Sequence, residues 1–191
     1  MIEEKKVKEL IRKMVKETKS LTEEELKEKF IASFGEDKWI EEEMLSKLIP
    51  LSIEVSSYLE IDFLPIIFEE LDEEDARIYY EEDYIAINTK YKDNYLECSK
   101  CITHELRHVY QAMYAATRND NRAKAFKEEL ANPAKLNPKD PYSITKYCMQ
   151  AIEIDSFAFT KWYLKIRLGI EVIHPSTYYE AIICTYIEKY L

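Results

Sequence analysis

The chain has 191 residues, enough for one globular domain with a sizeable core but too few for two full domains. Hydrophobic residues make up 47% of the sequence and charged residues 34%, and the content of only 2 Gly and 6 Pro favours helices. The formal net charge of -10 opposes binding to nucleic acid or to an acidic membrane surface, because both require clustered Lys and Arg.

The N-terminal segment has no hydrophobic run of the signal-peptide type, and no stretch approaches the length of a membrane span. Cysteines are too few for a disulfide framework in a chain of this size. The four are Cys98, Cys101, Cys148 and Cys184, and although the first two have CxxC spacing, without a second pair they favour structural thiols. We therefore expect a cytoplasmic protein.

Helical periodicity dominates the N-terminal region. Apolar residues at helical spacing predict an amphipathic helix over the first twenty residues. Thr22 and Glu25 have the spacing of a capping box for a second helix, which Gly35 ends. A third helix is predicted to end at Pro50, and residues 51–60 fit a helix or a strand.

The period then changes to that of a small sheet. The apolar run Phe63–Phe68 contains Pro65, which suits an edge strand or an irregular segment. Arg77–Tyr80 and Tyr84–Asn88 are rich in aromatic and β-branched residues on either side of an acidic turn, which predicts a β-hairpin.

The C-terminal half returns to the helical period. A helix is predicted from about Asn94 to Ala116, followed by a polar loop over 117–141 that Pro residues punctuate and that has room for one short helix. A long helix is predicted over Tyr142–Leu168, with Gly169 as its end. The last helix is predicted to begin at His174-Pro175-Ser176.

Two of the three histidines flank a glutamate in the predicted helix, in the sequence His104-Glu105-Leu106-Arg107-His108. Residues four apart lie on one helix face about a turn apart, so both imidazoles can reach one metal ion, and Glu105 can hold a water bound to it. This is the HExxH arrangement of zinc sites. The simpler alternative is a helix with two ordinary histidines and a surface glutamate.

A zinc site of this type needs a third protein ligand. The predicted helix Tyr142–Leu168 carries Glu153 and Asp155 among apolar residues, where carboxylates are hard to explain without a charged partner. Being two residues apart, they cannot share one helix face. We favour Glu153 as the ligand and keep Asp155 as the alternative, while two solvent-exposed carboxylates are the simpler possibility.

Together, His104–His108 and Glu153–Phe159 resemble the HELxH and ExxAxxFA signature of small zincin-type metallopeptidases, especially the ImmA/IrrE-like group and its relatives in phages and mobile elements. The resemblance covers roughly residues 77–169. It implies a gluzincin-type site with Glu153 as the third ligand, and a short sheet beside the zinc helix whose edge strand holds an extended substrate.

The chain departs from this signature at three positions. Arg107 stands where Gly is common, and Ser156 stands where the family usually has Ala. Phe157 stands where several relatives have an Asp that orients a ligand histidine, so that one histidine lacks this partner.

From these patterns we predict a predominantly helical α+β fold, with an N-terminal helical region over 1–60 and a zincin-like core over 61–191. The predicted function is zinc-dependent hydrolysis of an intracellular peptide or protein, with zinc-bound water activated by Glu105 as the general base. His174 is a candidate transition-state stabiliser, and a surface or capping role competes with it. The alternative function is an inactive zincin-fold binding module with a structural or regulatory zinc.

Overall fold

The computed structural model of the chain describes residues 22–134, 140, 142–174 and 176–191. The chain divides into two units, Met1–Glu43 and Met44–Leu191. The amphipathic helix predicted for the first twenty residues lies outside the described residues.

In the first unit, helix α1 (Glu23–Phe34) has the predicted ends. The Thr22 hydroxyl accepts a hydrogen bond from the backbone N–H of Glu25, whose carboxylate accepts one from the backbone N–H of Thr22, which confirms the capping box. Gly35 follows at a φ of 90°, in the region that favours glycine, and its N–H donates to the Ile31 carbonyl at 2.8 Å.

Helix α2 (Glu36–Leu59) continues through Pro50, so the prediction that it ends there is wrong, and residues 51–59 are helical. An interior proline removes one hydrogen bond and costs about 3 kcal/mol. Leu48 and Val55 are completely buried, and each such side chain contributes about 1.5–3 kcal/mol. Burial on both sides of Pro50 therefore offsets its cost.

Three strands form one sheet, β1 (Ile66–Glu69), β2 (Ala76–Tyr79) and β3 (Tyr84–Asn88), in the order β1-β3-β2. β2 and β3 pair antiparallel, which confirms the predicted hairpin, and β1 pairs parallel with β3. β1 is an edge strand that begins directly after Pro65, whose carbonyl accepts a hydrogen bond from Ile85. The central strand β3 is buried over most of its length.

Helix α3 (Tyr95–Thr117) carries the HExxH sequence and packs against β2, β3 and helix α6 (Ala151–Leu168). The remaining helices are α4 (Asn121–Ala131), α5 (Ser143–Cys148) and α7 (Thr177–Tyr190). The core lies where the C-terminal part of α2, the sheet, α3 and α6 meet. Its completely buried side chains include Leu48, Val55, Ile85, Ile87, Ile102, Leu106, Phe159 and Leu164.

The single helix predicted over Tyr142–Leu168 is wrong, because the chain breaks between α5 and α6. Gln150 is extended, with a ψ of 142°, and its side-chain oxygen accepts a hydrogen bond from the backbone N–H of Ala134. The Glu129 carboxylate of α4 accepts the first backbone N–H groups of α6 at 3.0 Å. These contacts come from distant residues, which explains why local periodicity misses the break.

The fold is thus α+β and mostly helical, as the sequence predicts. None of the helices within the described residues combines the length and the apolar character needed to cross a membrane.

Candidate metal centre

Two packed helices bring three candidate ligands together. His104 and His108 lie on successive turns of α3, and Glu153 lies in the first turn of α6. The two histidine Nε2 atoms are 3.0 Å apart. His104 Nε2 is 3.3 Å from Glu153 Oε2, and His108 Nε2 is 3.5 Å from Glu153 Oε1. One ligand atom from each residue therefore lies within 4.8 Å of the other two, and this group could hold a metal ion.

The three side chains are withdrawn from solvent. The exposed fractions are 14% for His104, 12% for His108 and 4% for Glu153. Within the described residues, the buried Glu153 Oε2 lies 3.3 Å from His104 Nε2 but accepts no hydrogen bond of good geometry. A buried carboxylate oxygen without a donor is costly. The donor set of two imidazole nitrogens and one carboxylate fits a divalent transition metal, which would satisfy this oxygen.

The ligands differ in charge in the absence of metal. Burial alone lowers the pKa of His104, but the neighbouring Glu153 carboxylate outweighs it and the pKa is raised. Burial together with the charge of His104 lowers the pKa of His108 to about 4. Burial alone raises the pKa of Glu153, but the two histidines hold it below its ordinary value. His108 is therefore neutral, the protonation state that metal coordination requires.

Glu105 lies between the two histidines in sequence but outside the ligand group, which comprises His104, His108 and Glu153 within the described residues. Burial raises the pKa of Glu105 to about 7, with a further contribution from the Glu153 carboxylate. A carboxyl group that exchanges its proton near neutral pH is suited to acid–base chemistry.

Asp155, the alternative ligand, faces a different set of groups. Its side chain is completely buried and receives two hydrogen bonds from Arg107, at 2.8 and 2.9 Å, and others from Arg122 and Gln111. The Tyr186 hydroxyl also donates to it, at 3.0 Å. Burial alone raises the pKa of Asp155, but the two arginines hold it low. Asp155 is therefore a buried anion that links four helices, and it does not join the histidines.

His174 lies apart from the ligand group. Its Nδ1 accepts a hydrogen bond from the backbone N–H of Ser176, and its ring contacts Tyr179 with a centroid distance of 4.5 Å. The Phe157 ring contacts both His174, at 5.7 Å, and His104, at 4.6 Å. Phe157 thus gives His104 an aromatic neighbour where several relatives of the resembled family have a carboxylate.

Two functional candidates escaped the sequence analysis. Gln111 Oε1 lies 2.8 Å from His108 Nδ1, and its position three residues after His108 on α3 is a signal that could have found it. Tyr147 lies on α5, with its hydroxyl beside Glu153. Burial and the charges of Glu153 and Glu105 raise the pKa of Tyr147. With 15 tyrosines in the chain, no local pattern distinguishes Tyr147.

Comparisons with protein-family models, with curated proteins and with solved structures gave no match to this chain.

Separate substitutions of the two α6 carboxylates test which of them is the ligand. Glu153→Ala removes one of three donors together with a buried oxygen that lacks a hydrogen bond, so we expect loss of bound metal and a retained fold. Asp155→Ala leaves Arg107 with a buried, unpaired charge and removes the partner of the partly exposed Arg122, so we expect the free energy of unfolding to fall by about 3–5 kcal/mol.

Elemental analysis of the purified variants measures the metal, and urea denaturation with a chelator present measures the stability of the metal-free protein. Full metal occupancy in Glu153→Ala would contradict the assignment of this ligand.

Proposed function

We propose that the chain is a zinc-dependent metallopeptidase with a zincin-type core of the gluzincin kind. One observation carries the proposal: Glu105 lies between His104 and His108 on the same helix and adjoins the three-residue ligand group without belonging to it. In the metal-free chain burial raises its pKa to about 7. A metal site that serves stability alone has no use for such a group. A hydrolase needs it as a general base.

The ligand count supports a catalytic zinc over a structural one. Structural sites usually close zinc with four protein ligands, whereas catalytic sites use three and leave one position open. The nearby CxxC thiols are directed elsewhere, because Cys98 donates to the Tyr91 carbonyl and Cys101 to the Asp75 carbonyl. Zinc bound here would supply a Lewis acid that polarises the scissile carbonyl and acidifies a coordinated water.

Glu105 accepts the proton of the attacking water and delivers it to the leaving amine. Tyr147 is better positioned than His174 to donate a hydrogen bond to the oxyanion, because its hydroxyl lies beside Glu153 of the ligand group. His174 interacts with Ser176 and Tyr179 instead. We therefore propose Tyr147, in place of His174, as the group that stabilises the transition state.

An extended peptide is the substrate shape that the sheet accommodates. β2 pairs with β3 on one side and has no strand partner on its other side within the described residues. The HExxH helix α3, which carries Glu105, packs against β2. A peptide pairing along the outer edge of β2 would therefore be led towards Glu105.

A Glu105→Gln variant tests the role of the general base. The amide keeps the size of the side chain but cannot take the proton, so we expect zinc content to remain and peptide hydrolysis to fall roughly 10²- to 10⁴-fold. A library of fluorogenic peptides assays the hydrolysis.

Glu97→Gln is the matched control, because Glu97 lies on the same helix and pairs only with surface Lys100 among the contacts described. Zinc-loaded protein that cleaves no peptide would favour the binding module over the enzyme. Equal activity in Glu105→Gln and the unchanged protein would contradict the assigned base.

Tyr147→Phe tests the oxyanion donor. Removal of the hydroxyl is expected to lower kcat roughly 10²-fold, with zinc affinity unchanged, because the bond forms only in the transition state. Tyr142→Phe is the control, since the Tyr142 side chain is 69% exposed at the start of α5. If zinc affinity falls while kcat of the loaded enzyme stays the same, Tyr147 only positions Glu153.

A further inference from the structure

Gln111 is completely buried, and every polar atom of its side chain has a partner. Its amide nitrogen, which has two N–H groups, donates to the Ile152 carbonyl and to Asp155 Oδ2, both at 2.8 Å, and also lies 3.0 Å from Ser156 Oγ. Its amide oxygen lies 2.8 Å from His108 Nδ1. One side chain therefore joins the ligand histidine to the start of α6.

The orientation of this amide is fixed by its neighbours. Turning it over would bring its oxygen against the Ile152 carbonyl and Asp155 Oδ2, which are both acceptors without a proton to donate. Two acceptor pairs at 2.8 Å in a buried site would replace two hydrogen bonds. The nitrogen therefore faces α6, and the oxygen faces His108.

An amide oxygen can only accept, so His108 Nδ1 must carry the proton that it receives. In a neutral imidazole with Nδ1 protonated, Nε2 carries the lone pair. Nε2 is the atom that lies 3.0 Å from His104 Nε2 and 3.5 Å from Glu153 Oε1. The contact with Gln111 thus selects the one neutral tautomer that can bind a metal at this point.

The Asp155 carboxylate holds Gln111 in place. Arg107 binds both of its oxygens, and Arg122 and Tyr186 bind Oδ1, so it is fixed from α3, α4 and α7. Because two guanidinium groups and a phenol donate to its oxygens, the carboxylate acts as an acceptor and also accepts from Gln111. Asp155 therefore acts on the metal site at a distance, through the amide of Gln111.

We propose that Gln111, held by Asp155, is a positioning residue that keeps His108 in the Nδ1-protonated tautomer before any metal arrives. The inference rests on the proposed function in so far as the metal site gives this tautomer its use. It concerns the metal-free protein, and so it can be tested without any activity.

Long-range ¹H–¹⁵N correlation spectra of the metal-free protein report the tautomer of each imidazole. With three histidines in the chain, His104→Ala, His108→Ala and His174→Ala assign the signals. At a pH at which His108 is neutral, we expect its Nδ1 to be protonated and its Nε2 to carry the lone pair. A wild-type His108 with the proton on Nε2 would overturn the proposal.

Gln111→Met keeps the length of the side chain and removes the acceptor oxygen. We expect the Nδ1-protonated signal of His108 to be lost or mixed, and zinc affinity to fall roughly 10- to 100-fold. Met113→Gln is the control, since it exchanges the same two residue types in reverse at a position on the same helix whose side chain is 37% exposed. An unchanged tautomer and an unchanged zinc affinity in Gln111→Met would overturn the proposal.

Ser156→Ala provides a second test that does not depend on the folding of Gln111→Met. Ser156 Oγ lies 3.3 Å from His108 Nδ1 and is the competing polar neighbour. We expect the tautomer to persist without this hydroxyl, and its loss in Ser156→Ala would assign the effect to Ser156 and overturn the role of Gln111.

The outcomes separate the two proposals. A wild-type protein that binds no zinc, with His108 in the expected tautomer, contradicts the proposed function alone. Zinc binding with a tautomer that Gln111 does not control contradicts the inference alone.

Discussion

The buried carboxylate of Asp155 is the interaction on which the rest of the structure depends. An isolated charge at this depth would cost several kcal/mol, and Asp155 is tolerated because Arg107, Arg122, Gln111 and Tyr186 surround it with donors. These four groups come from α3, α4 and α7, while Asp155 belongs to α6. The requirement to satisfy one anion therefore fixes how four helices meet. It also fixes the approach of α3 to α6 that brings the three candidate ligands together.

Two carboxylates two residues apart on α6 have opposite roles because the helix turns them to different faces. Asp155 is saturated with protein donors, so no coordination position remains at it. Glu153 faces the two histidines and keeps a buried oxygen without a hydrogen bond in the described site. Asp155, whose oxygens are all hydrogen-bonded, is therefore a structural anion. Glu153, whose buried oxygen lacks a hydrogen bond, is a candidate ligand. Gln111 joins the two faces, because it bonds to Asp155 and reaches His108.

The sequence predicted correctly those features that depend on residues close to one another in the chain. The spacing of His104 and His108 follows from helix geometry, and the capping box at Thr22 and the hairpin follow from short-range rules. The choice between Glu153 and Asp155 stayed open, since it depends on which face of α6 meets α3. The helix break at Gln150 arises from contacts with α4 and the segment after it, and Pro50 lies inside a helix because of tertiary burial. Tyr147 gains its significance only from Glu153 on the next helix. Gln111 has a near partner in His108, but its role depends also on Ile152 and Asp155 of α6.

Two of the three departures from the signature that the chain resembles, Arg107 and Ser156, belong to the Asp155 network. Because the residues of this network depend on one another, a substitution of one affects which others can be kept in evolution. A descendant that lost Asp155 would leave the buried guanidinium of Arg107 without its carboxylate and the amide of Gln111 without one of its acceptors. One that lost Arg107 would keep a buried anion short of donors. Selection therefore acts on Arg107, Gln111, Arg122 and Asp155 as a set, and homologous chains should keep all four or replace them together, with the HExxH residues intact in either lineage.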